Sequence, residues 1–157
     1  MDIRDISLNY LTFRNRTVKE MHDYLIKKGF GGDETDREIE ALKDLRYLND
    51  MEFCKMYFRS SFAKNRGMKR IKRELINKGV CEFDIEDSAA EYEEENDCDI
   101  REDEKKRALD AGRKIMSGIR PDDKSLAKLA RRLTTLGYGS DIIYDTVGYF
   151  MREKDNE

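Results

Sequence analysis

The chain has no tryptophan, a single proline, a single histidine and three cysteines among its 157 residues. No apolar run approaches the ~20 residues that a membrane-spanning helix needs, and the first residues carry no signal-peptide pattern. A cytoplasmic protein, away from the membrane, is therefore expected. Cys54, Cys81 and Cys98 are odd in number and share no two-residue spacing. That excludes a paired disulfide framework or a zinc knuckle and suits a reducing compartment. Cys54 and Cys81 follow apolar neighbours and are expected to be partly buried, with Cys98 exposed between two aspartates. His22 has no acid or nucleophile placed by sequence to work with it. No phosphate-cradling glycine loop, metalloprotease motif or nucleophile elbow occurs, so no catalytic residue, metal ligand or cofactor is assigned.

Charged residues make up 41% of the chain and hydrophobic ones only 38%, which is little apolar mass for one compact core. Instead, a helical pattern recurs. Segments beginning at Arg16, Arg66 and Lys124 align so that Val18/Met68/Leu126, Met21/Ile71/Leu129, Leu25/Leu75/Leu133 and Phe30/Val80/Tyr138 coincide, together with Gly29, Gly79 and Gly137. Periods of this size indicate stacked helical units that share their cores. The fold expected is all-α, three tandem three-helix repeats in an elongated array, over residues 1–46, 47–96 and 97–153, with a polar, frayed tail at 154–157. Capping boxes are read at Thr17/Glu20 and Thr35/Glu38, and Ser140 is read as the cap of the last helix. The apolar lines expected inside include Ile39, Leu42 and Leu45; Phe53, Met56, Tyr57 and Ala63; and Ile143, Val147 and Phe150.

The small net charge of −3 conceals segregation. Seven basic residues lie between Lys64 and Gly79 against Glu74 alone, and thirteen acidic ones between Glu82 and Glu104 against Arg101 alone. On a helix whose inner face is Met68, Ile71 and Leu75, the cations Arg66, Lys69, Arg70, Lys72 and Arg73 spread over the opposite side. Lys64 and Lys78 extend the block. Arg14-Asn15-Arg16 falls in register with Lys64-Asn65-Arg66, so a pair of cations precedes two middle helices, beside helix N-termini that favour anions. The third repeat breaks the pattern with Asp122-Asp123-Lys124, although Arg131 and Arg132 follow. The recurrent block points to an acidic protein groove or a phosphate backbone. No aromatic residue interleaves it, which argues against base stacking there. The acidic stretch reads as a solvated helix end and linker, or as an internal partner of the basic block.

The run Leu48-Asn49-Asp50, Phe53 and Tyr57, followed by Gly67-Met68-Lys69-Arg70-Ile71-Lys72-Arg73-Glu74-Leu75-Ile76-Asn77-Lys78-Gly79-Val80, resembles the central signature of the RecX regulatory family. Leu8, Leu11, Arg14, Arg16, Glu20, Leu25, Lys28 and Gly29 agree with the family's first unit. The third unit agrees less, with Leu136 where the family usually has a basic residue. The resemblance implies a curved array of three-helix repeats acting in recombination and DNA repair, including the SOS response. It implies a monomer that binds in the groove of the RecA–single-stranded-DNA filament and inhibits ATP hydrolysis and strand exchange. The positions it assigns to that contact are Arg14, Arg16, Lys64, Arg66, Lys69, Arg70, Lys72, Arg73 and Lys78. A protein that binds single- or double-stranded DNA directly is the alternative. A small enzyme fits least, because no acid–base or nucleophile pair is in place.

Overall fold

The computed structural model describes residues 1–155 and contains, among them, nine α-helices and no strand. These are α1 (Ile3–Leu11), α2 (Val18–Lys27), α3 (Gly32–Asp44), α4 (Asp50–Ala63), α5 (Met68–Asn77), α6 (Glu82–Asn96), α7 (Ile100–Met116), α8 (Asp123–Leu136) and α9 (Ser140–Asp155). Side chains start most of them. Asp2 accepts from the Asp5 amide, Asn49 from Glu52 and Asp99 from Glu102. Thr17/Glu20 and Asp122/Ser125 form reciprocal capping boxes at α2 and α8. Each such cap satisfies an amide that has no partner within its own helix.

One stop signal is used three times. Gly29, Gly79 and Gly137 adopt φ of +99°, +96° and +102°, a region that costs a side chain energy and glycine almost none. The next residue then donates back five positions: Phe30 to Leu25, Val80 to Leu75 and Tyr138 to Leu133, at 3.1 to 3.2 Å. The glycine amides donate to Ile26, Ile76 and Thr134, each at 3.0 Å. This is the Schellman arrangement. It explains why an apolar residue recurs after each glycine, since that residue folds back over the leucine that accepts its amide.

Two compact units partition the chain, and the boundary passes through α4, α5 and α6. Unit 1 comprises residues 1–56 with 74–90; unit 2 comprises residues 57–73 with those from 91 onward. In unit 1, Met21, Leu25, Ile39, Leu42 and Leu48 are buried, with Tyr10, Val18 and Phe30 packed against them. Leu75, Val80 and Ile85 are also buried there. In unit 2 the core is Ala108, Ala111, Met116, Leu126, Leu129, Leu133, Tyr138, Ile142 and Phe150. Phe58 and Ile71 are likewise fully buried in that unit. Each such leucine or phenylalanine gains roughly 1.5–3 kcal/mol by leaving water.

Several local expectations change. α3 begins one turn early on Gly31, so Thr35 lies inside the helix, and its buried hydroxyl has no partner among the described residues. Glu38 is drawn to Arg4 of α1 at 2.6 Å rather than to a cap. Leu45, Met56 and Ala63 face solvent, whereas Phe58 and Ser61 turn inward. Cys81 is exposed; Cys54 is buried, and burial pushes its thiol up to about 11. Ser140 is the first residue of α9; Phe150 is buried as expected, while Ile142 and Thr146 are buried in place of Ile143 and Val147, which are half-buried. The helix runs on to Asp155 through the stretch expected to fray, and residues 156–157 of that tail lie outside the described residues.

Candidate partner-binding surface

In unit 2 the cationic surface rests on a tightly packed helix end. The Gly67 amide donates to the Leu136 carbonyl (2.8 Å), the Lys69 amide to the Gly137 carbonyl (3.1 Å) and the Met68 amide to Glu104 (3.0 Å). The C-terminus of α8 therefore abuts the N-terminus of α5. A Cβ on Gly67 would overlap the Gly137 carbonyl, and one on Gly137 would overlap the Arg70 backbone and Cβ. Two glycines are what the approach allows. The Tyr138 hydroxyl donates to the carbonyl of Asn65, which is itself in the left-handed region at φ +57°. That contact holds the Lys64–Arg66 connection, and burial raises the Tyr138 phenol to about 12.

With Ile71 fixed inward, the helical period sends Lys69 and Arg73 to the exposed side, with Arg66, Arg70 and Lys72 half-exposed beside them. Lys64 is exposed as well. No ion pair among the described residues engages Lys64, Arg66, Lys69 or Arg73. Arg70 reaches the Thr135 carbonyl at 3.4 Å. Six of the nine cations expected at the site, Lys64, Arg66, Lys69, Arg70, Lys72 and Arg73, thus belong to unit 2.

Of the three in unit 1, Arg14 and Arg16 have internal work for their side chains. Arg14 grips Glu20 through both guanidinium nitrogens, at 2.5 and 3.2 Å. Burial alone would raise the Glu20 carboxyl, but Arg14 and the Thr17 amide hold it below its ordinary value. Arg16 lies 3.7 Å over the Tyr10 ring, which stacks on Tyr24 at 3.7 Å with Lys28 beyond. Lys78 uses its carbonyl to accept from the Thr17 hydroxyl at 2.6 Å. Here the C-terminus of α5 meets the N-terminus of α2, and a Cβ on Gly79 would overlap the Lys19 side chain. The third in-register glycine, Gly29, has nothing within 4 Å of that position.

The helix N-termini are not open to an outside anion. At α2 the Val18 amide donates to Asp50 (2.9 Å) and the Glu20 amide to Thr17, and at α5 all three amides named above are taken. Burial raises the carboxyls of both Asp50 and Glu104, in spite of the amide each accepts. The acidic stretch is more than a linker. Besides Glu104, its Asp99 caps α7 and its Glu93 accepts from the Ile100 amide at 2.9 Å. It meets the basic helix where Glu104 accepts the Met68 amide.

His22 is half-exposed, 3.7 Å from Asp23 and 3.6 Å from Asp36. No group of three or more metal-ligating side chains gathers among the described residues. No described helix is long and apolar enough to cross a membrane. A groove of about 870 Å³ lies along α8 and α9, lined by residues that include Ala130, Ile143, Val147 and Met151, away from the α5 cations. Lys114 and Arg132, which sequence reading does not assign to a site, line a separate cleft of unit 2 with Lys64. Their only signal in the sequence is the Arg131-Arg132 pair.

Helical repeats with abutting helix ends and a cationic helix face define an all-α tandem-repeat protein whose features suit contact with a macromolecule. The RecX first three-helix domain matches residues 4–42 and the RecX second three-helix domain matches residues 49–88. The chain belongs to the RecX family. It is 31% identical over 155 residues to the Regulatory protein RecX of Bacillus thuringiensis (strain Al Hakam), and equally to that of Bacillus cereus (strain AH187). Each match covers 96% of this chain but 54% of the relative, so the chain spans about half the length of these curated relatives. The crystal structure of RecX from Lactobacillus salivarius superposes with a TM-score of 0.77 at 27% identity, over 98% of this chain and 94% of that one. A second RecX crystal structure, at 21% identity and a TM-score of 0.74 over 93% of this chain and 70% of that one, shares the fold.

Proposed function

We propose that the chain is a non-enzymatic regulator of a RecA recombinase, binding the groove of the RecA–single-stranded-DNA filament and inhibiting its ATPase and strand exchange. The observation that carries this reading is the outward face of α5. In a chain of the RecX family, Lys69 and Arg73 stand there with no ion pair among the described residues, flanked by Arg70 and Lys72. Cations held on a braced helix suit a negatively charged groove, where they steer encounter and fix register. A body that engages neighbouring recombinase subunits would oppose the relative motions on which ATP turnover depends. Arg14, Arg16 and Lys78 of unit 1 are further cations of the same proposal. The three repeats at 1–46, 47–96 and 97–153, a monomeric state and a cytoplasmic setting belong to the same proposal.

The test is ATP hydrolysis by the cognate RecA on single-stranded DNA, titrated with the wild-type chain and with Lys69, Arg70, Lys72 and Arg73 all changed to alanine. Inhibition near stoichiometric ratios that is lost in the variant, at unchanged helix content, is the expected result. Retained inhibition sinks the assignment of the site. Tight binding to DNA without recombinase, falling steeply with salt, together with an unaffected ATPase, would replace the regulator with a direct DNA-binding protein.

A further inference from the structure

Unit 2 carries a second cationic feature that the α5 face does not include. A cleft of about 420 Å³ opens where the end of α4, α7 and α8 meet. Lys64 follows α4, Lys114 projects from α7 and Arg132 from α8, and all three line the cleft. Its apolar wall includes Ala111, Ile115 and Leu136, and among the described residues no carboxylate or aromatic ring lines it.

These cations differ from their neighbours in what they lack. Along α7, Lys105 pairs with Glu102 at 3.0 Å and Arg113 pairs with Asp110 at 3.1 Å. Arg101 is paired with Asp141. Lys114 is one residue from Arg113, yet Asp110 serves Arg113, and no ion pair among the described residues engages Lys114, Arg132 or Lys64. The chain holds more carboxylates than basic groups, so leaving three converging cations without one creates a local positive field that attracts an anion.

The wall decides which anion. A phosphodiester strand would meet the cations but leave the apolar wall in water, and without an aromatic side chain no base can stack there. A peptide that brings carboxylates to the rim and one aliphatic side chain to the wall uses both features, as peptide-binding grooves do. We propose that this cleft is a docking site for an acidic peptide segment of a partner protein. Its carboxylates would pair with Lys64, Lys114 and Arg132, and one leucine-like side chain would rest on Ala111, Ile115 and Leu136.

Apart from Lys64, which both share, this assignment is separate from the recombinase reading, and the experiment needs no recombinase. A short fluorescein-labelled peptide of aspartates and glutamates around one central leucine is titrated with the full chain, followed by anisotropy at low and moderate salt. Saturable binding is expected, weakening with salt as exposed ion pairs do. Lys114→Glu with Arg132→Glu should weaken it by about tenfold or more, since two attractions become repulsions. Replacing the peptide's leucine by glycine should cost about fivefold or more through the lost apolar contact. Lys69→Ala with Arg73→Ala should leave it unchanged. Both altered pairs are exposed, and unchanged circular dichroism confirms that folding is intact. Absent binding, or binding indifferent to Lys114→Glu and Arg132→Glu, overturns the proposal. So does a single-stranded oligonucleotide that binds more tightly through the same residues. Peptide failure beside retained ATPase inhibition would remove the cleft and leave the recombinase reading standing.

Discussion

Units 1 and 2 carry the same cationic signal and use it differently. Arg14-Asn15-Arg16 and Lys64-Asn65-Arg66 are in register, but Arg14 closes on a capping-box glutamate and Arg16 stacks on a tyrosine, while Lys64 and Arg66 have no ion pair among the described residues. The neighbourhood makes the difference. Unit 1 supplies Glu20 and the Tyr10–Tyr24 stack within reach. In unit 2 the rings of Phe58 and Phe62 pack against Tyr92, and the guanidinium that covers Phe62, at 3.9 Å, is that of Arg107. A charge pattern repeated in sequence therefore marks equivalent places on the fold, not equivalent roles. The first copy engages its cations within its own unit.

The largest expected effect contrasts the helix-stop glycines. Gly137→Ala meets both a left-handed backbone and the Arg70 backbone; it should cost about 3 kcal/mol or more. Gly29→Ala meets only the backbone conformation and should cost about 1 kcal/mol. Urea denaturation followed by circular dichroism measures both, and equal losses would deny that the α8–α5 junction is close-packed.

Next comes the contrast between Arg14 and Lys69. Arg14→Ala strands a half-buried carboxylate and should lower stability by about 1 kcal/mol. Lys69→Ala should leave stability within about 0.5 kcal/mol while weakening inhibition of the recombinase. Because Glu20 titrates below its ordinary value of 4.5, its contribution is complete above that pH and disappears as pH falls through the lower folded value. The penalty of Arg14→Ala should shrink over that same interval. An undiminished penalty at acid pH would mean that Arg14 acts through packing.

Glu104 has the opposite sign. Its carboxyl is raised above 4.5 by burial, so the folded state binds its proton more tightly and stability falls as pH rises through that shifted range. Glu104→Gln keeps an acceptor for the Met68 amide without the charge. It should equal or exceed the wild type at neutral pH by less than about 1 kcal/mol, and match it in acid. A clear loss at neutral pH would show that the charge itself holds α5. The smallest effect is chemical: Cys81 should be alkylated ahead of Cys54, whose thiol is buried and pushed up to about 11.

How much is legible beforehand depends on range. The Thr17/Glu20 box and the three glycine stops can be read from the chain because caps and stops are set by residues within one turn. The Thr35/Glu38 pair satisfies the same spacing rule and still forms no box, because α3 starts a turn earlier on Gly31 and an arginine 34 positions away on α1 claims Glu38. Met56 and Phe58 exchange places because α4 is apolar on several sides, so its own pattern does not say which side is buried. The α5 cations are legible from helical period alone; Lys114 and Arg132 are not, since nothing in their spacing to Lys64 predicts one cleft.

The all-helical class, the repeat, the helix stops and the family were written in the chain itself, because each depends on contacts or patterns within about one helix. Which cations are neutralised, which glycines lie in closed junctions and which helix amides are already taken emerged with the folded arrangement alone. Those properties belong to pairs of residues far apart in the chain, and a pair's energy exists only once folding has brought its members into contact.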